Sequence, residues 1–89
     1  MLVLSSDAIN QLPLVITVVI GTKGQNVSRD YPTNVRVSAQ DSGLPIETVF
    51  LCFQVRSLDP SRFPDQPAGI LPDATMQKVE DAVRLCLDL

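Results

Sequence analysis

The chain has 89 residues, a net charge of −3 and a 45% share of hydrophobic residues. This length suits one small domain and is too short for two separate cores. The acidic balance gives no general attraction to nucleic acid, and the absence of histidine excludes a Ser-His-Asp or Cys-His centre and removes the commonest zinc ligand. No apolar run approaches the roughly 18–20 residues of a membrane span. We therefore expect a cytoplasmic globular protein with no metal or cofactor.

The N-terminal segment begins with a short apolar strand at residues 2–4, followed by the polar Ser5-Ser6-Asp7. Because a compact domain rarely opens in mid-strand, we expect residues upstream of Met1 to be missing. Residues 7–13 are predicted as a loop, in which Ile9 and Leu12 are the anchors.

The segment 14–22 is predicted as the central strand. Residues 15–20 are all β-branched, which favours an extended backbone, and apolar residues occupy both faces of the alternation. We therefore expect both faces of this strand to be covered. Residues 23–30, which follow it, are polar and are predicted as a mobile loop.

Two further strands follow. Valines alternate with polar residues over residues 33–38, which predicts a strand with one wet face. A turn is expected at residues 40–43. Residues 47–58 are the longest run of strand formers, and this strand is predicted to pair with the central one. Residues 70–71 are a candidate short edge strand.

The C-terminal segment 73–87 has a helical period, with Met76, Val79, Val83 and Cys86 on one apolar stripe. Asp73 is expected to cap the first turn, and Glu80 with Arg84 has the spacing of an i,i+4 ion pair. The apolar end at residues 85–89 predicts a second exposed face for another subunit. The cysteines, Cys52 and Cys86, lie in apolar runs and are expected to be buried free thiols.

Three groups of polar residues are candidates for a site. Thr22 and Lys23 end the central strand, where a hydroxyl and an ammonium either reach a phosphate or merely close the strand; the glycines nearby lack the spacing of a phosphate-binding loop. Ser6 and Asn10 either bind bases or form turns. Gln54 and Arg56 project from one face of an apolar strand and either line a groove or pair with each other.

The order of these elements resembles the MazF/PemK toxins of bacterial type II toxin-antitoxin modules. The resemblance rests on five phrases that occur in the same order along the chain: residues 2–10, 31–35, 43–45, 54–59 and 76–84. It covers the whole chain as a single domain, residues 1–89.

The resemblance implies a mainly β fold, a small SH3-like barrel with a C-terminal α-helix. It also implies a homodimer that binds a cognate antitoxin, and an endoribonuclease that cuts single-stranded mRNA without a metal. The family's catalytic threonine falls at Thr22. Its RNA-lining positions carry over to Ser6, Asn10, Lys23, Gln54 and Arg56.

The chain departs from the family pattern at its start. Family members have a further strand, a loop and an Arg-Pro pair ahead of the strand that is here at residues 2–4, and this sequence has no counterpart. Loss of such a cation is expected to lower a cleavage rate by about two to three powers of ten. Two alternatives are therefore retained: a toxin-fold module that dimerises and binds antitoxin without cutting RNA, and a gyrase-poisoning toxin of the same fold.

Overall fold

A computed structural model describes residues 1–11 and 15–89. Within these ranges the chain forms four strands, three α-helices and two 3₁₀ turns: β1 (Leu2–Val3), α1 (Asp7–Asn10), β2 (Ile16–Lys23), a turn at Gly24–Asn26, β3 (Asn34–Val37), α2 (Ala39–Ser42), β4 (Thr48–Leu58), a turn at Pro60–Arg62 and α3 (Asp73–Leu87). The expected anchor Leu12 and the expected first residue of the central strand, Leu14, lie outside the described ranges.

The four strands form one antiparallel sheet in the order β1-β2-β4-β3. The sheet is curled into a half-barrel, and α3 packs on one of its faces. This architecture confirms the predicted class, mainly β with a C-terminal helix. The predicted pairing of the long strand β4 with the central strand β2 is confirmed as well.

The predicted double coverage of β2 is confirmed by its valines. Val18 and Val19 are neighbours whose side chains project to opposite faces, and both are fully buried. The face of Val19 holds the main core, which includes Val35, Phe50 and Val79. The opposite face carries Val18 and the other strand residues whose side chains project away from this core.

A large bulge bends β4 where it passes β2. Val19 pairs with Val55, but the next residue, Ile20, pairs with Leu51. Residues 52–54 of β4 therefore have no partner on β2, and Cys52 instead donates its backbone N–H to the carbonyl of Thr33 at 3.0 Å. Extra residues on one strand increase the local bend, which helps the small sheet to curl.

The helix α3 has the predicted bounds, and its buried residues Val79 and Ala82 face the core. Two details of the prediction were wrong. Pro72 has the non-helical backbone of the N-cap, so Asp73 is the first helical residue rather than the cap, although its carboxylate still suits the positive end of the helix. Arg84 forms its ion pair with Asp81, three residues earlier, at 3.4 Å. The predicted partner, Glu80, is four residues earlier.

Short helical turns replace two predicted irregular segments. Residues 7–10 form α1 instead of an open loop. Residues 39–42 form α2, which is capped by the Ser38 hydroxyl and ends at Gly43 in the left-handed conformation that glycine adopts readily. The structure has no strand at residues 70–71, and Ile70 is 89% exposed.

Both cysteines are free, with Cys52 buried and Cys86 partly buried, as predicted. None of the helices in the described part of the chain has the length and apolar character needed to cross a bilayer. The apolar residues Leu85, Leu87 and Leu89 are more than half exposed. The predicted second apolar surface at the C-terminal end of the chain is therefore present.

Candidate functional site

Thr22 lies near the end of β2, on the sheet face opposite to α3. Its Cα partner on β4 is Val49, whose Cα partner on β3 is Arg36, so the three form one row across the sheet. The neighbouring positions Val35 and Val37 belong to the core, and alternation therefore turns the Thr22 row away from α3. Val49 is fully buried between the half-buried Thr22 and Arg36.

The Thr22 hydroxyl has a hydrogen-bond partner in the following 3₁₀ turn. The side-chain amide of Asn26 donates from Nδ2 to Thr22 Oγ1 at 3.2 Å. A hydroxyl that accepts in this way keeps its own proton for another acceptor. The arrangement thus leaves Thr22 able to donate a hydrogen bond to a negatively charged oxygen.

Lys23 is exposed and ends β2 one residue beyond Thr22. Because consecutive strand residues project to opposite faces, the ammonium of Lys23 and the hydroxyl of Thr22 start from opposite sides of the sheet. The two groups are adjacent in sequence, but only the length and terminal position of Lys23 allow it to reach the Thr22 side.

Ser6 and Asn10 lie at the other end of β2. Ser6 is the N-cap of α1, and its side chain makes no capping hydrogen bond. Asn10 exchanges hydrogen bonds with Ser5: the Ser5 hydroxyl donates to Asn10 Oδ1, and Asn10 Nδ2 donates to the Ser5 carbonyl at 3.1 Å. The Ser5 hydroxyl also accepts from the Thr17 backbone N–H at 3.1 Å, which fixes α1 against β2.

Gln54 and Arg56 pair with each other at the surface. Arg56 Nη2 donates to Gln54 Oε1 at 3.4 Å, and Arg56 is exposed. Arg56 is the Cα partner of Val18 and therefore shares the sheet face of Thr22. Val18 and Thr22 are four residues apart on β2, about 13 Å along an extended strand. A polar pair and the Thr22 hydroxyl thus occupy two ends of one face.

Arg36 is the main feature that sequence reasoning missed. Its guanidinium donates to Asp30 at 3.1 Å and to Glu47 at 2.8 Å, and also to the carbonyls of Gly24 at 3.0 Å and Val27 at 2.7 Å. We call these groups the Arg36 clamp. It ties down residues 24–30, which the sequence predicted as mobile. A single cation between two core valines was the available signal, but its four partners lie between 6 and 12 residues away in sequence, three before it and one after it.

The clamp also settles the charge state of Arg36. Its pKa is raised above the ordinary value, mainly by the hydrogen bond to Glu47 and then by Asp30. The guanidinium stays charged, but its charge is balanced by two carboxylates. Two exposed cations have a known register relative to Thr22: Lys23, the next residue on β2, and Arg56, the Cα partner of Val18.

The candidate site is an open surface rather than a pocket. Two shallow grooves, of about 230 and 490 Å³, flank α3, and Thr22 lines neither of them. Within residues 1–11 and 15–89, the acidic and cysteine side chains form no cluster of three that would hold a metal ion. The groups on this face are the Thr22 hydroxyl, the Gln54 amide and the Arg56 guanidinium, together with the Asp30 and Glu47 carboxylates that pair with Arg36.

Comparisons with known proteins identify relatives of the chain. The family model described as PemK-like, MazF-like toxin of type II toxin-antitoxin system matches residues 1–87. No curated protein sequence matches the chain significantly.

Solved structures have the same fold. The Mycobacterium tuberculosis toxin MazF-mt6 is 24% identical with a TM-score of 0.81, over 99% of this chain and 84% of that chain. An endoribonuclease in complex with its cognate antitoxin, from a mycobacterial species, is 24% identical with a TM-score of 0.80, over 98% of this chain and 78% of that chain. At this identity the likeness establishes the fold.

Proposed function

The chain belongs to the family of PemK-like, MazF-like toxins of type II toxin-antitoxin systems, and from this premise we propose that it is an endoribonuclease that cuts single-stranded mRNA without a metal ion. The observation that carries the proposal is the Thr22 hydroxyl, which stands on an open sheet face and accepts from Asn26 at 3.2 Å. Family resemblance assigns the catalytic threonine to this position.

The proposed reaction is an in-line attack of a ribose 2′-oxygen on the adjacent phosphorus. The bond from phosphorus to the 2′-oxygen forms as the 2′-hydroxyl loses its proton to water, and the bond to the 5′-oxygen breaks as that oxygen takes up a proton from water. The products are a 2′,3′-cyclic phosphate and a 5′-hydroxyl. Negative charge grows on the non-bridging oxygens as the phosphorus becomes five-coordinate. Thr22 donates its hydroxyl proton as a hydrogen bond to one of these oxygens, and Lys23 supplies positive charge from the strand end.

The same face offers contacts to several nucleotides of an extended strand. Arg56 and Gln54 lie about 13 Å along the sheet from Thr22, by the register of β2 and the rise of an extended strand. In this proposal Arg56 binds a phosphate, while Gln54 and, further along, Ser6 and Asn10 contact base edges. Base edges are accessible in single-stranded RNA and are hidden in the narrow major groove of a duplex.

The proposed partners are those of a cytoplasmic toxin: a cognate antitoxin protein and a second copy of the chain. One structure with the same fold is an endoribonuclease in complex with its cognate antitoxin. Here, Phe53 is 56% exposed and directly precedes Gln54 on β4. A Leu-rich and acidic antitoxin segment would match both the apolar and the cationic parts of this surface.

The test is cleavage of a long single-stranded RNA by the purified chain, with and without EDTA. We expect cutting in EDTA, and we expect Thr22→Val to lower the rate about 100- to 1,000-fold, the usual cost of losing one donor to a developing charge. Valine keeps the shape and the β propensity of threonine, so the fold should persist.

Thr75→Val is the matched control, because Thr75 lies on α3, on the other side of the sheet from Thr22. It should cut at the wild-type rate. Unchanged cutting by Thr22→Val would contradict the site assignment. A wild-type chain that cuts no RNA would contradict the enzymatic proposal and favour a module that only binds antitoxin.

A further inference from the structure

The Thr22 hydroxyl accepts a hydrogen bond from the side chain of Asn26. Asn26 is the last residue of the 3₁₀ turn Gly24–Asn26, and it reaches back four residues to Thr22 Oγ1. The contact is exposed, and an exposed amide on a free loop would visit many rotamers. It can orient the hydroxyl only if the turn that carries it is held in place.

The Arg36 clamp holds this turn at both ends. Arg36 donates to the carbonyl of Gly24 at the start of the turn and to the carbonyl of Val27 just after it. A backbone hydrogen bond adds to the hold, since Gly24 N–H donates to the Glu47 carbonyl at 2.9 Å. Asn26 therefore lies between two carbonyls that are bound to the same guanidinium.

Gly24 allows the clamp to close. A Cβ at this position would overlap the Glu47 carboxylate and would lie 3.1 Å from Arg36 Nη1. A side chain here would force the ends of Glu47 and Arg36 to move from their present positions against the turn. Close approach, rather than a special backbone angle, is the reason for glycine at this position.

We propose that Arg36 and Asn26 are positioning residues for Thr22, with Arg36 fixing the 3₁₀ turn and Asn26 directing the Thr22 proton toward the scissile phosphate. This inference rests on the proposed RNA cleavage. Arg36 itself does not bind the phosphate, because four of its five N–H groups already have protein acceptors. Its role differs from that of a phosphate-binding arginine, which needs its donors free.

The first experiment is a double-mutant cycle on Asn26 and Thr22, with kcat and KM measured for each variant in the steady state. We expect Asn26→Ala to lower kcat about tenfold, the equivalent of one hydrogen bond, with KM unchanged. In the Thr22→Val background, Asn26→Ala should cause no further loss. An equal loss in both backgrounds would overturn the inference, because Asn26 would then act without the hydroxyl.

The second experiment replaces Arg36. We expect Arg36→Met to lower kcat about tenfold, at least as much as Asn26→Ala, because the turn is released, and Arg36→Lys to recover only part of the rate. Arg84→Met is the matched control, since Arg84 also pairs with a surface carboxylate but lies on α3. It should leave kcat and KM unchanged.

A readout without RNA separates this inference from the proposed function. The side-chain amide resonance of Asn26 in NMR spectra should move in both Thr22→Val and Arg36→Met and stay in place in Arg84→Met. If it stays in place in a folded Arg36→Met variant, the clamp does not control Asn26 and the inference is overturned. If the wild-type chain cuts no RNA, the enzymatic proposal fails, and these resonances still decide whether Arg36 positions the Thr22 contact.

Discussion

Cys52 is the buried titratable side chain of the core. It is fully buried, and its thiol donates to the Phe50 carbonyl at 3.8 Å. Burial raises the pKa of Cys52 from its ordinary value of 9.0 to about 11, with a smaller contribution from Cys86. Because the folded chain holds this proton more tightly than the unfolded chain, folding becomes less favourable once the unfolded thiol ionises.

We therefore predict an alkaline loss of stability that depends on Cys52. The contribution is complete below about pH 9 and falls as the pH rises toward 11, by roughly 2 kcal/mol in the free energy of unfolding. Urea titrations at several pH values would measure it. Cys52→Ala should flatten this part of the profile, whereas Cys86→Ala should not, and parallel profiles for wild type and Cys52→Ala would contradict the prediction.

Single residues of the site were predicted to different degrees. Thr22 was proposed from the family resemblance, because a strand end with a hydroxyl has no special signature of its own. Arg36 and Asn26 were not proposed, since their roles depend on Glu47 and Val27, which only the folded sheet brings close. The pairing of Gln54 with Arg56 was one of two alternatives left open by their spacing, and the structure contains it.

At the scale of elements, α3 is the helix that completes the core. Val79 is fully buried and Leu85 is 59% exposed, so the two sides of this helix should respond differently to truncation. We predict that Val79→Ala lowers the free energy of unfolding by about 2 kcal/mol through lost contacts and a small cavity. Leu85→Ala should change the stability of the monomer by less than about 0.5 kcal/mol.

Chemical unfolding of both variants at low protein concentration would check this prediction. A similar large loss in both would contradict the assigned faces of α3. A concentration dependence of unfolding that is present in the wild type and lost in Leu85→Ala would instead show that the Leu85 side chain lies in a contact between copies of the chain.

The longer elements were predictable because their patterns extend over many residues. The period of α3 and the β-branched run of β2 each repeat the same signal, and their type was correct. The short helices α1 and α2 each have four residues, too few to show a period. The caps Ser38 and Gly43 decide α2 more than periodicity does. The bulge at residues 52–54 had no sequence signal, since these residues continue the strand formers of β4.

At the scale of the whole molecule, a small half-barrel has limited core and should gain much from a partner. A ligand that binds only the folded state at 100 times its Kd adds about 2.7 kcal/mol to the free energy of unfolding. For a chain of this size, each kcal/mol corresponds to a rise in Tm of roughly 4–8 °C. Antitoxin binding is thus measurable by thermal unfolding.

We predict that a Leu-rich, acidic antitoxin peptide raises the Tm of the chain by roughly 10 °C or more at such an excess. A scrambled peptide of the same composition is the control, and Arg56→Gln should reduce the shift by removing an exposed cation. No rise in Tm at high peptide concentration would contradict the proposed antitoxin surface.

The glycine at position 24 has a consequence for how this family branch can evolve. Its missing side chain is the space that the Glu47 carboxylate and Arg36 occupy. A larger residue at position 24 would press on the ends of both side chains, so the glycine should be inherited together with Arg36 and Glu47. In natural relatives, a larger residue at position 24 should accompany the loss of Arg36 or Glu47. Such covariation would show that the clamp has been under selection.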